Sequence, residues 1–129
     1  MSQPLILIID DELETIELIQ AAFKRSGWPV LGALSGREGL RLARERSPAI
    51  ILIDLMLPEL DGFEICRQLR DDPSTAHIPR IILSARDSLV DQADALAAGA
   101  DRYVAKPVQL KMLMALVEGL IGPACGAAE

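Results

Sequence analysis

Two stretches of the chain run apolar for five residues and then stop on a carboxylate: "LILIID" at residues 5–10 and "AIILID" at 49–54. An unbroken apolar run of this length, with no polar alternation, marks a strand buried on both faces. Such strands belong to parallel sheets whose two sides are covered by helices, so the pattern points to an α/β fold. It also raises a question of charge. Asp10, Asp11 and Glu12 follow one another at the end of the first run, where like charges repel. Buried carboxylates are costly unless they are paired, protonated or given a cation.

The intervening segments supply the helices. From Leu13 to Ser26, Ile16, Ile19, Ala22 and Phe23 recur at helical spacing, and Gly27 follows as a stop. "PVLGAL" (29–34) reads as a shorter strand, and 36–46 as a helix with Leu40 and Ala43 inward and its arginines outward. After the loop "LMLPELDG" (55–62), a helix to about Asp72 has Phe63, Ile65, Cys66 and Leu69 as core candidates. "RIILSA" (80–85) is a fourth strand, a helix runs from about Ser88 to Ala98, and "RYVA" (102–105) is a fifth strand. The last helix, about Gln109 to Ile121, carries Leu110, Leu113, Val117 and Leu120 on one stripe. Five strands alternating with five helices imply right-handed crossovers and a doubly wound parallel sheet. The length of 129 residues suits one domain, expected over residues 4–121, with 122–129 as a flexible tail or linker stub.

Bulk composition narrows the function classes. The net charge is −6, which disfavours direct binding to nucleic acid or to an anionic membrane. Phe23, Trp28, Phe63 and Tyr103 are the only aromatic residues, too few for a base-stacking surface. Cys66 and Cys125 have no metal or redox spacing, and Cys66 reads as small core filler. The apolar run after Met1 is too short for a signal peptide, and no stretch is long enough to span a bilayer, so a cytoplasmic protein is expected.

In an open α/β sheet the site lies outside the carboxyl ends of the strands. Those ends bring Asp10 and Asp11, Asp54, Ser84 and Lys106 together from four strands. Singly, each has an ordinary reading as helix cap, turn residue or solvated lysine; their convergence on one edge does not. A hard divalent cation, Mg²⁺, is the natural neutraliser of such carboxylates. Lys106 offers a point charge and Ser84 a neutral donor to a phosphoryl group. Asp54 beside them is suited to attack phosphorus and form an aspartyl phosphate, with Asp10 and Asp11 holding the metal.

Over residues 4–121 the chain resembles the receiver domain of two-component response regulators, of the chemotaxis-regulator type. The resemblance rests on "IIDDE", "IDLMLPELDGFE", "IPRIILSA" and "GADRYVAKP", in that order. It implies a flavodoxin-like sheet of order 2-1-3-4-5, with Asp54 as phosphoacceptor. It implies Mg²⁺ held by Asp10, Asp11, Asp54 and the backbone carbonyl of Met56, with Ser84 and Lys106 contacting the phosphoryl group. A cis peptide is implied before Pro107, and Tyr103 matches an aromatic switch position that responds to Ser84. Val108 stands where phenylalanine is often found, and Arg80 opens the fourth strand where an apolar residue is common; Arg80 is expected to reach solvent. Met56 and Arg86 occupy positions that in the family influence phosphoryl lifetime. His77 lies in "STAHIP", remote from the strand ends, and is expected to pack in its loop, so the donor histidine belongs on another protein.

The resemblance further implies a non-enzymatic signalling switch charged by a sensor histidine kinase or phosphotransfer protein and read by a downstream effector. A weak homodimer through the fourth helix, fifth strand and fifth helix is possible on the same ground. A flavin binder is disfavoured because "DDELE" would repel a flavin phosphate, and G-x-x-x-x-G-K-[ST] and G-x-G-x-x-G are both absent. A receiver used as an unphosphorylated docking scaffold is the rival reading.

Overall fold

A computed structural model describes residues 5–86 and 88–122. Elements alternate strictly: β1 (Ile6–Ile9), α1 (Leu13–Lys24), β2 (Val30–Ala33), α2 (Gly36–Arg46), β3 (Ile50–Asp54), α3 (Gly62–Asp71), β4 (Arg80–Ser84), α4 (Leu89–Ala97), β5 (Arg102–Ala105) and α5 (Leu110–Ile121). The strands form one parallel sheet of order β2-β1-β3-β4-β5. Helix α1 stops at Lys24, a little short of the expected Ser26, and the other bounds lie within two residues of expectation. The expected tail falls, except for Gly122, outside the described residues, as does Cys125.

The unbroken apolar runs are explained by two separate cores. Along β1, Ile6 and Ile8 face one side with α1 and α5, where Ile16, Ile19, Phe23, Leu113 and Val117 are buried. Leu7 and Ile9 face the other side with α2, α3 and α4, where Leu40, Ala43, Ile65, Cys66 and Ala95 are buried. Strand β3 alternates in the same way, Ile50 and Leu52 against Ile51 and Ile53. Ile6–Ile9 and Ile50–Ile53, in the interior of the sheet, therefore need apolar side chains at every position, because neither face meets water there. Phe63 and Tyr103 are half-buried and pack at the margin of the α2–α4 core.

Ser35, Asp61 and Ser88 cap α2, α3 and α4, each accepting the amide three residues on (Glu38, Glu64 and Asp91). Gly62 is required for another reason. A Cβ there would stand 2.8 Å from Leu55 Cα and 3.0 Å from the Asp54 carbonyl oxygen, so α3 starts directly against the end of β3.

Arg80 does not reach solvent. It is 6 % exposed, and its guanidinium donates to backbone oxygens on two loops: Nε to Gly99 (2.9 Å), Nη1 to Ile78 (3.2 Å) and Ala76 (3.3 Å). The cation is tolerated there because carbonyls replace its water. His77 is exposed rather than packed in its loop, which lies at the opposite end of β4 from Ser84.

Candidate functional site

Register decides which residues meet at the sheet edge. Ile9 pairs with Ile53, so Asp10 comes level with Asp54. Asp54 pairs with Leu83 and Ser84 with Ala105, so Ser84 and Lys106 each lie one step further out. The parallel register, stepping outward by one residue at Ser84 and again at Lys106, thus collects the four residues from β1, β3, β4 and β5.

Asp10 is fully buried and Asp54 is 5 % exposed. One oxygen of Asp10 accepts the Glu12 amide at 2.9 Å, and the other lies 3.1 Å from Lys106 Nζ. Asp54 accepts the Met56 amide at 3.2 Å and presents its second oxygen 3.5 Å from the same ammonium. Glu12 completes the group, with Oε1 3.8 Å from Lys106 Nζ. Asp10, Glu12 and Asp54 each have a carboxylate oxygen within 4.8 Å of the others. Hard, anionic oxygens gathered this closely on one side of a cleft fit a small divalent cation such as Mg²⁺. Asp11 is exposed and lines the same cleft of about 370 Å³ together with Met56 and Ala85.

The electrostatics are asymmetric. Burial pushes the Asp54 carboxyl above its usual range; Asp10 and Asp11 add to this, while the Met56 amide and Lys106 oppose it. Burial disfavours the charged form of Lys106, but Asp10, Asp54 and the bond to Asp10 outweigh it and hold its pKa above the ordinary lysine value. The cation meets several carboxylates, whereas each carboxylate meets one cation and further anions.

Ser84 is buried, and its hydroxyl oxygen accepts the Arg86 amide at 3.0 Å. The Tyr103 hydroxyl donates to the Arg86 carbonyl, so Arg86 lies between the serine and the aromatic ring. The Lys106–Pro107 peptide is cis. Met56 is 55 % exposed and reaches the site through its backbone. The sequence reading passed over Glu12 as a site residue, although it is the third acid of "DDE". It also passed over the pair Arg86–Asp91, for which no motif gives a signal. Trp28 is buried before β2, at the far end of the sheet, which makes it a poor direct reporter on the cleft.

A doubly wound sheet of order 2-1-3-4-5 with an acid cluster around one lysine at its carboxyl edge defines a flavodoxin-like α/β domain with its site at the switch point. The chain belongs to the response regulator receiver domain family, whose model matches residues 6–118. It is 40 % identical over 118 residues to the transcriptional regulatory protein AfsQ1 of Streptomyces coelicolor, covering 92 % of this chain and 51 % of that protein. The chain spans about half or less of the length of the curated relatives it matches. Among solved structures, the receiver domain of Francisella response regulator 1452 aligns with a TM-score of 0.85 at 33 % identity, covering 92 % of this chain and 97 % of that one. The receiver domain of the Pseudomonas aeruginosa sensor histidine kinase PA1611, solved with a magnesium ion coordinated in its active-site cleft, aligns at 0.84 with 30 % identity. That alignment covers 95 % of this chain and 99 % of that one.

Proposed function

We propose that this receiver domain, over residues 4–121, is a switch charged at Asp54 by a histidine kinase or phosphotransfer protein and read by an effector. The observation that carries this reading is the position of Asp54: buried at the end of β3, 3.5 Å from the Lys106 ammonium and beside Asp10 and Glu12. An Asp54 carboxylate oxygen forms a bond to phosphorus as the P–N bond of the donor phosphohistidine breaks, and the imidazole leaves. Asp10, Asp54 and the Met56 carbonyl, supported by Asp11 or Glu12, would hold Mg²⁺, which would offset charge on the carboxylates and on the incoming phosphoryl group. Lys106 orients that group by its charge, and Ser84 donates its hydroxyl to it. The domain is a signalling module of the cytoplasm rather than an enzyme with a turnover substrate; among its described residues no helix is long and apolar enough to cross a membrane.

The added charge on Asp54 draws Ser84 outward, and Tyr103 answers from the neighbouring strand. This alters the face of α4, β5 and α5, where Leu89 and Val90 are 82 % and 69 % exposed. Effectors or a second copy dock there. Acetyl phosphate with Mg²⁺ should add one hydroxylamine-labile phosphoryl group to the wild type and none to Asp54→Asn. Stoichiometric labelling that persists in Asp54→Asn overturns the assignment, and a wild type that takes no phosphoryl group favours the docking-scaffold reading.

A further inference from the structure

Helix α4 is attached very differently at its two ends. At the carboxyl end, Arg80 Nε donates to the Gly99 carbonyl at 2.9 Å, and Arg70 Nη1 to the Ala97 carbonyl at 3.3 Å. Ala95, Ala98 and Ala100 are buried there in the core shared with Ile82. Two cations from separate elements and an apolar contact therefore hold that end.

Among the described residues, the amino end buries no apolar side chain in its first turn. Leu89 and Val90 point to solvent, and Asp91 is the buried residue of the first turn. Asp91 accepts Arg86 Nη2 at 2.5 Å, Arg86 Nε at 3.2 Å and the Ser88 hydroxyl at 2.8 Å. The other four helices of this domain have Ile16, Gly36, Gly62 and Leu113 as their first buried residues, but here the seat is a carboxylate. Arg86 is also the residue whose amide is held by Ser84 and whose carbonyl is held by Tyr103. One residue therefore touches the site hydroxyl, the aromatic ring and the first turn of α4.

We propose that α4 pivots about its Gly99 end, and that the Arg86–Asp91 pair is the latch holding its Ser88 end in the resting position. The proposal rests on the reading of Asp54 as phosphoacceptor for its signal, but not for its mechanics. When Ser84 turns toward a phosphoryl group, the Arg86 amide loses its acceptor, the loop carrying the guanidinium shifts, and the forked ion pair opens. Arg86 and Asp91 are positioning residues, since neither approaches Asp54 through its side chain.

Amide hydrogen exchange of the full chain, without phosphoryl mimic, tests the latch directly. Arg86→Gln should speed exchange at Ala93 and Asp94, whose amides bond within the first turns, by about fivefold, the scale of one partly exposed ion pair. Ala98 and Ala100 should keep wild-type rates. Arg86→Lys, which keeps the charge but not the fork, should fall between. Because the latch favours the resting state, Arg86→Gln should also bind beryllofluoride about fivefold more tightly, a gain that mere loss of structure would not give. Unchanged exchange at Ala93 and Asp94, or acceleration spread evenly through Ala98 and Ala100, overturns the proposal. A wild type that does not bind beryllofluoride overturns the Asp54 reading instead, and the exchange pattern still decides the latch.

Discussion

The ammonium of Lys106 stands 3.1 Å from Asp10 and carries the only cationic charge, among the described residues, within the acid group at the sheet edge. A second acid, Asp54, shares that ammonium, and burial holds its carboxyl above the usual range. An acid whose folded pKa is raised destabilises the fold once ionised. Stability should therefore fall as pH rises from the unfolded value of 3.8 through the raised one, and the penalty stays in full above it. Asp54→Asn should accordingly stabilise the metal-free protein at pH 7 by about 1 kcal/mol, the scale of two like charges about 4 Å apart in water. Urea unfolding at pH 7 and at pH 4 measures this. The gain should shrink at pH 4, and a variant less stable than wild type at pH 7 would contradict it.

Mg²⁺ should stabilise the wild type through the same carboxylates. At free Mg²⁺ tenfold above Kd, linkage gives about 1.4 kcal/mol. Asp10→Asn should abolish the thermal shift that Mg²⁺ produces. Asp11→Ala and Glu12→Ala, tested side by side by isothermal titration, should show which of these two acids supports the ion. Equal Mg²⁺ affinity in wild type and Asp10→Asn would remove Asp10 from the metal site.

Gly62→Ala should damage the site without touching a charged group. The new methyl would stand 2.8 Å from Leu55 Cα and 3.0 Å from the Asp54 carbonyl oxygen, and backbone cannot yield as a side-chain tip can. A cost of about 1–3 kcal/mol is expected from this overpacking, together with slower labelling by acetyl phosphate. Wild-type stability and wild-type labelling in this variant would show that the β3–α3 junction has slack.

Arg80→Ala should be among the more damaging single changes outside the cleft. It leaves the carbonyls of Ala76, Ile78 and Gly99 without their donor and empties a buried space. A loss of about 2–4 kcal/mol is expected in urea unfolding. Arg80→Leu should recover the packing but not the bonds, and so fall between the two. A loss below the noise of the measurement would mean that water replaces the guanidinium at no cost.

Cys66 should be chemically silent in the native state. Its thiol is fully buried between α3 and the sheet, and burial pushes its pKa up to about 12. The thiolate is the reactive form, so little of it exists at pH 8. In a Cys125→Ser background, iodoacetamide at pH 8 should modify the protein only after denaturant is added. Rapid alkylation of the native variant would indicate frequent opening of α3.

The strands and the convergence of Asp10, Asp54, Ser84 and Lys106 were legible because each follows from a one-dimensional pattern; the strand order came from the family resemblance. Apolar runs without alternation require two covered faces, and parallel strands bring residues after each run to a common edge. Arg80 was misread because its partners are backbone carbonyls of two distant loops, and carbonyls leave no trace in side-chain chemistry. Glu12 was passed over for a related reason: three consecutive acids give no hint of which of them reach the lysine. Here the Asp10 side chain takes the Glu12 amide and the turn follows from that bond. The Arg86–Asp91 fork was likewise invisible, since a pair five residues apart across a loop has no fixed spacing.

The division of the interior by the sheet has a consequence for how the domain can be read. Helices α1 and α5 belong to one packed layer and α2, α3 and α4 to the other, with a wall of isoleucine and leucine between them. Dense apolar walls deform little, so a disturbance in one layer passes poorly through the sheet to the other. The carboxyl rim is where the layers communicate, because the β3–α3 loop serves one side, the β5–α5 loop the other, and Asp54 and Lys106 stand 3.5 Å apart between them. A partner seated on α1 and another seated on α4 would therefore sense each other chiefly through that rim, like two rooms joined mainly by one doorway.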